Sequence, residues 1–305
     1  MTAMQRTEQQ TGQQPDSDRA AQRALLRPFT RAIALIVPES SNPFFLEVAE
    51  GLQAAVEEEG TALMICHTHG SPKREQAFLS MLVDIPIAGV AIIPAAETQP
   101  ALRTLIDHRI PVVVIDRDLP GLPVDCLFSD HVAGAVQAVS HLIDLGHSRI
   151  ACINGPAASF PAQARLAGYH EALRTAAIRP DPLLLRHGAF SVDMGRAATR
   201  ALLELPSPPT AVFACSDLIA FGVLAAARDV GLALPESLSV VGFDDIRLSA
   251  LTAPPLTTVH QRREEIGRQA ARMLLARMQE PSLPYRRLLL ATSLNVRGST
   301  MALHG

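Results

Sequence analysis

An α/β fold of two doubly wound parallel-sheet lobes is what this sequence predicts, and three observations predict it. From Ala32 onward, short β-branched apolar runs alternate with longer stretches of helical period. The runs lack polar residues at every second position, so both faces of each strand are expected to lie under helices, as in a parallel sheet. The 305 residues hold too many such runs for one open sheet, and two lobes of about five or six strands fit the length.

The elements follow in order. A polar start with glutamines at 5, 9, 10, 13 and 14 reads as a disordered tail. AAQRALLR (20–27) has the pattern of two helical turns, which Pro28 stops. IALIV (33–37) is a strand before a helix over 44–59, and ALMIC (62–66) a strand before a helix over 73–83. GVAII (89–93) precedes a helix over 99–108, and PVVVI (111–115) one over 132–145. RIACI (149–153) leads into helices over 163–177 and 194–205. TAVFA (210–214) and LSVVG (238–242) precede helices over 218–230 and 264–279, and a last strand is expected within 286–298.

Composition excludes several functions. With 27 basic and 30 acidic residues the net charge is -3, which argues against a chain-wide polyanion-binding surface. Lys73 is the single lysine and follows Ser71-Pro72, so no nucleotide-binding phosphate loop exists. The four cysteines form no C-x-x-C pair, as expected of a reduced, cytoplasmic chain, and no run of 18 apolar residues could span a membrane. No H-E-x-x-H, no G-x-S-x-G and no G-x-G-x-x-G after the first strand is present. His67 and His69 suggest no third metal ligand, and adjacent Asp244 and Asp245 are expected to diverge rather than form an acid–base couple. No enzyme activity, metal or cofactor is expected.

In open parallel sheets ligands bind beyond the carboxyl ends of the strands. There the sequence places Asn42, Phe44 and Phe45, then Asp116 and Arg117, then Ser216 and Asp217, then Asp244 and Asp245. Each has a plainer reading: Asp217 as a helix cap, Phe44 and Phe45 as core, Asp116–Arg117 as a surface ion pair. Together, carboxylates, an amide, Arg forks and aromatic faces suit a polyhydroxylated ligand.

IALIVPESSNPFF, PVVVIDRDLPGLPVD, HLIDLGHSRIACINGP, RLAGYHEAL, TAVFACSD, LSVVGFDDI, PPLTTVHQ and LNVRGST, in this order, resemble the LacI/GalR family of transcription regulators. The resemblance implies a periplasmic-binding-protein-like sensor of type I, with two lobes on a three-strand hinge closing around a small, sugar-like effector. It implies a cytoplasmic homodimer, with contacts on the helices over 44–59 and 73–83, and operator DNA as the family's partner. It places Asn42, Phe44, Phe45, Asp116 and Arg117 in the cleft on one lobe, and Arg165, Phe190 and Ser216 on the other, with Asp244 and Gln261 near the hinge. Ser216 stands where sugar binders of this fold often carry Asn. A sugar-binding subunit of an import system is the alternative on the same fold.

The resemblance divides the chain into a tail (1–31), a first lobe (32–131 plus 262–283), a second lobe (132–261 plus 284–300) and a short end (301–305). The lobe crossings are expected near His131, His260 and Pro284. Residues 20–27 resemble the family's hinge helix, with Leu25 where a minor-groove wedge would lie. The Gln-rich stretch before it lacks the apolar positions of a helix-turn-helix, so the chain as written is expected not to read DNA by itself.

Overall fold

A computed structural model describes residues 31–94 and 99–303. The readings of residues 1–30 as tail and hinge helix lie outside the described residues. The first sheet holds β1 (Arg31–Val37), β2 (Thr61–His67), β3 (Gly89–Ile92), β4 (Val112–Ile115), β5 (Asp125–Ser129) and β11 (Arg287–Leu290). The second holds β6 (Ile150–Asn154), β7 (Leu185–His187), β8 (Ala211–Ala214), β9 (Ser239–Asp244), β10 (Thr257–His260) and β12 (Ser293–Asn295). The helices are α1 (Pro43–Glu57), α2 (Pro72–Met81), α3 (Gln99–Asp107), α4 (His131–Asp144), α5 (Phe160–Thr175), α6 (Val192–Leu203), α7 (Asp217–Asp229) and α8 (Arg263–Gln279).

Residue parity shows why both sheets are doubly wound. In β1, Ile33, Leu35 and Val37 enter one apolar layer with α1 and α8, while Ala34 and Ile36 enter another with α2 and α3. β6, β8 and β9 split the same way: Cys152, Phe213 and Val241 lie on the α4–α5 side, and Ile153, Val212 and Val240 on the α6–α7 side. A strand that feeds two cores has no position left for polar alternation.

The strand orders are β11-β5-β4-β3-β1-β2 and β12-β10-β9-β8-β6-β7. Without the added edge strands β11 and β12, both lobes share one topology, in which the order reverses beside β1 and β6. Every pairing is parallel except β10 with β12. The chain passes between lobes after β5, after β10 and between β11 and β12.

The last passage corrects the expected boundary. Residues 284–290 stay with the first sheet, because Arg287–Leu290 pairs with Cys126–Ser129 and buries Leu288 and Leu290 against the first core. The buried Asp125 carboxylate draws the segment there, accepting the Arg286 backbone N–H at 2.7 Å and the guanidinia of Arg277 and Arg286. The crossing therefore lies at Ala291–Thr292, not near Pro284. β5, β7 and β10 were not legible as runs, since each is short and carries polar residues.

Paired glycines let helices cross closely in each lobe. A Cβ on Gly51 of α1 would overlap the Glu264 carbonyl of α8, and one on Gly267 would overlap the Val48 carbonyl. The buried face of α1 is thus occupied by α8, and Leu46 is left as its exposed large apolar residue. Gly195 and Gly222 serve α6 and α7 in the same way. Gly267→Ala is expected to lower stability by about 2–4 kcal/mol, because backbone rather than a flexible side chain must move. Urea unfolding should show a reduced midpoint with an unchanged slope, and a midpoint equal to wild type would contradict the close crossing.

Candidate functional site

Between the lobes, Asp116 after β4, Cys215 after β8 and Asp244 at the end of β9 gather around His131 at the start of α4 and Arg165 of α5. Asp116, which follows β4, has a positive φ of 63°, and Asp244, which ends β9, has a φ of 120°. Positive φ is uncommon for non-glycine residues, although Asp tolerates the left-handed region better than most, and it recurs at ligand sites. Both carboxylates are buried, Asp116 being 8% and Asp244 3% exposed.

One buried polar run joins them. Asp116 Oδ1 lies 2.6 Å from His131 Nε2, and Arg165 Nε donates to His131 Nδ1 at 3.4 Å. Arg165 also donates to the Cys215 carbonyl at 2.5 Å and lies 3.4 Å from Asp244 Oδ1. Gln261 Nε2 donates to the same Asp244 oxygen at 2.6 Å. The guanidinium stacks 3.9 Å from the centre of the Phe243 ring and 5.8 Å from that of Phe190. Phe190 in turn lies on Gly155, where a Cβ would collide with its ring.

Burial and the nearby Asp116 charge push Asp244 up to about 6, against the opposing pull of Arg165, Gln261 and Arg263. Gln261 Oε1 is buried and has no hydrogen-bond partner among the described residues. An acceptor left that way favours a ligand bearing donors.

Asp116, Arg165, Phe190, Asp244 and Gln261 are brought together as expected. Asn42 follows β1 as the α1 cap, its Oδ1 accepting the Phe44 N–H at 3.0 Å. Phe45 is half-buried and edge-on to Phe44 at 5.4 Å between ring centres, and Arg117 is half-exposed.

Two residues are corrected. Phe44 is 3% exposed inside the first-lobe core, so its ring is not a cleft surface. Ser216 is 1% exposed and caps α7, its Oγ accepting the Ile219 N–H at 3.2 Å, so it supports the site from behind.

Asp217 is the first residue of α7 rather than its cap. Its carboxyl holds the turn after β9 and the strand β10, meeting the Ile246 N–H, Ser249 Oγ and Thr258 Oγ1 at 2.9, 2.6 and 2.5 Å. Asp245 diverges from Asp244 towards His260, Asn295 and Arg297. Burial would raise it, but these donors together hold it below the usual carboxylate range.

His131 and Phe243 were missed as site residues. His131 reads in sequence only as a lobe crossing; its place immediately after a helix-capping Asp130, at the point where the chain changes lobes, was the available signal.

A profile described as a periplasmic binding protein-like domain matches residues 139–300. The chain is 36% identical over 281 residues to the HTH-type transcriptional repressor CytR of Escherichia coli K12, covering 92% of this chain and 82% of that one. It is 34% identical over 282 residues to the ribose operon repressor of the same organism, covering 92% and 85%. Among solved structures, a LacI family transcriptional regulator from Enterococcus faecium with bound ribose superposes with a TM-score of 0.83. That regulator shows 29% identity, over 90% of this chain and all of that one.

Proposed function

The chain belongs to the LacI family of transcription regulators, and from that premise we propose that it senses a small sugar held between its two lobes. The observation that carries this reading is the buried run from Asp116 through Arg165 to Asp244 and Gln261. It offers two carboxylates and an orphan amide oxygen as acceptors, and an arginine with two of its five N–H groups uncommitted, beside aromatic rings. Sugar hydroxyls supply donors and acceptors in pairs, and a ring covers the apolar C–H face. Asn42, Phe45 and Arg117 complete the cleft in this reading.

Ligand bound to both lobes favours the closed arrangement, and three hinge crossings carry that change to the rest of the regulator. A homodimer and a cytoplasmic setting belong to the same proposal, with operator DNA as the family's partner. No described helix is long and apolar enough to cross a membrane. The relatives are regulators and not enzymes, and they lend no support to an import role.

D-ribose is the first probe, since it is bound in the E. faecium regulator. At about a hundredfold its Kd, a ligand adds ~2.7 kcal/mol, which raises the melting temperature by several degrees. Thermal-shift and calorimetric titrations with a panel of pentoses and hexoses test this. A melting temperature unchanged by every pentose and hexose of the panel would overturn the sugar reading.

A further inference from the structure

We infer that His131 is a positioning residue of this cleft: as the neutral Nε2–H tautomer it holds Asp116 of the first lobe and Arg165 of the second in one arrangement. This goes beyond the sugar-sensing reading and rests on it for its functional consequence. The tautomer follows from the partners. A guanidinium has only donors, so Nδ1, 3.4 Å from Arg165 Nε, must present its lone pair. The ring proton then sits on Nε2 and is donated to Asp116 Oδ1 at 2.6 Å.

The ring itself is clamped. It lies 5.8 Å from Phe243 and 6.4 Å, nearly edge-on, from Phe160, with its side chain 1% exposed. His131 also opens α4 directly behind Asp130, whose carboxylate caps the helix through the Ala133 N–H at 3.0 Å. A rigid backbone, a packed ring and two opposed hydrogen bonds make it a strut across the first lobe crossing. Arg165 then reaches Cys215 and Asp244 with its remaining donors already oriented. Preorganisation of this kind lowers the ordering cost of binding.

The test uses the full chain. Long-range nitrogen–proton spectra of histidine-labelled protein, with His131 assigned by the His131→Gln variant, should show Nδ1 unprotonated and Nε2 bearing the proton near neutral pH. An Nδ1–H tautomer or a doubly protonated ring would overturn the inference. His131→Phe keeps the ring volume without either hydrogen bond, and should shift the Arg165 Nε–H resonance and weaken D-ribose binding by about tenfold. His131→Gln, whose amide supplies both donors and an acceptor, should recover most of both. An Arg165 resonance and ribose affinity unchanged in His131→Phe would also overturn it. If D-ribose does not bind the wild type, the sugar reading loses its probe, while the tautomer and the Arg165 resonance still decide the role of His131. Should His131→Phe fail to fold, the wild-type tautomer decides it alone.

Discussion

Arg165→Ala is expected to abolish stabilisation by any sugar that stabilises the wild type and to lower the unfolding free energy by about 3–5 kcal/mol. Arg165 is 4% exposed and is the cation on which Asp244 and the His131–Asp116 pair converge. Removing it leaves the Cys215 carbonyl and Asp244 without that donor in a buried setting, and the faces of Phe243 and Phe190 without their cation. Asp244→Asn removes charge but keeps a group that can face Gln261, so its stability cost should be smaller while affinity for a stabilising sugar still drops. Urea unfolding and sugar titration of both variants separate the two effects. If wild type and both variants respond alike to every stabilising sugar, the site assignment fails. Arg165→Lys should not rescue, because one ammonium cannot reproduce the fork or its stacking.

The second large effect is a stability that falls as pH rises from about 6.5 to 8. Burial, and then the neighbouring Asp244, push Asp217 from the ordinary 3.8 up to about 8. The folded state therefore keeps a proton that the unfolded state releases near 4, and stability drains as pH climbs through that interval. Asp244, raised to about 6, acts with the same sign over a lower window.

Other groups act outside this interval. His141 and His147 are lowered by burial, so they add stability with rising pH, but most of that gain comes below the ordinary histidine value of 6.5 and little of it beyond about pH 7. Asp181, Asp229, Glu264 and Glu265 are lowered by hydrogen bonds, and their contribution is already full well below 6.5. Above 6.5 the Asp217 contribution dominates, and about 2 kcal/mol should be lost by pH 8.

The geometry suits a protonated acid, which can donate to Thr258 Oγ1 while its other oxygen accepts from Ile246 and Ser249. Asp217→Asn mimics that pattern, so it should flatten the slope and exceed wild type in stability at pH 8. Asp217→Ala orphans those three partners and should cost about 2–3 kcal/mol even at pH 6.5. Denaturant unfolding of the three proteins at pH 6.5 and 8 checks this; a flat wild-type profile rules it out.

Much of the cleft was legible because its residues follow strand runs that are unmistakable in sequence. Asp116 after PVVVI and Asp244 after LSVVG lie where a parallel sheet delivers its carboxyl ends. Arg165 and Gln261 came from the resemblance, since neither follows an apolar run. The aromatic pair at 44 and 45 shows the limit. Sequence cannot say which neighbour on a helix turns inward, and packing against α8 and the first sheet sent Phe44 into the core while Phe45 stayed half-buried.

Local patterns in the chain encode the α/β class, the doubly wound lobes and the strand ends at which polar groups gather. These rest on local periodicity and on burial of both strand faces, which leave their mark residue by residue. Only the tertiary structure decided that β11 belongs to the first sheet, that Ser216 and not Asp217 caps α7, and that His131 bridges the lobes. Asp125 meets Arg277 and Arg286 across 152 and 161 positions of chain. His131 meets Asp116 and Arg165 across 15 and 34. Partners at such separations are chosen by which buried charges the fold brings together, because an unpaired charge in a core is too costly to leave, and no local pattern in the chain encodes that choice.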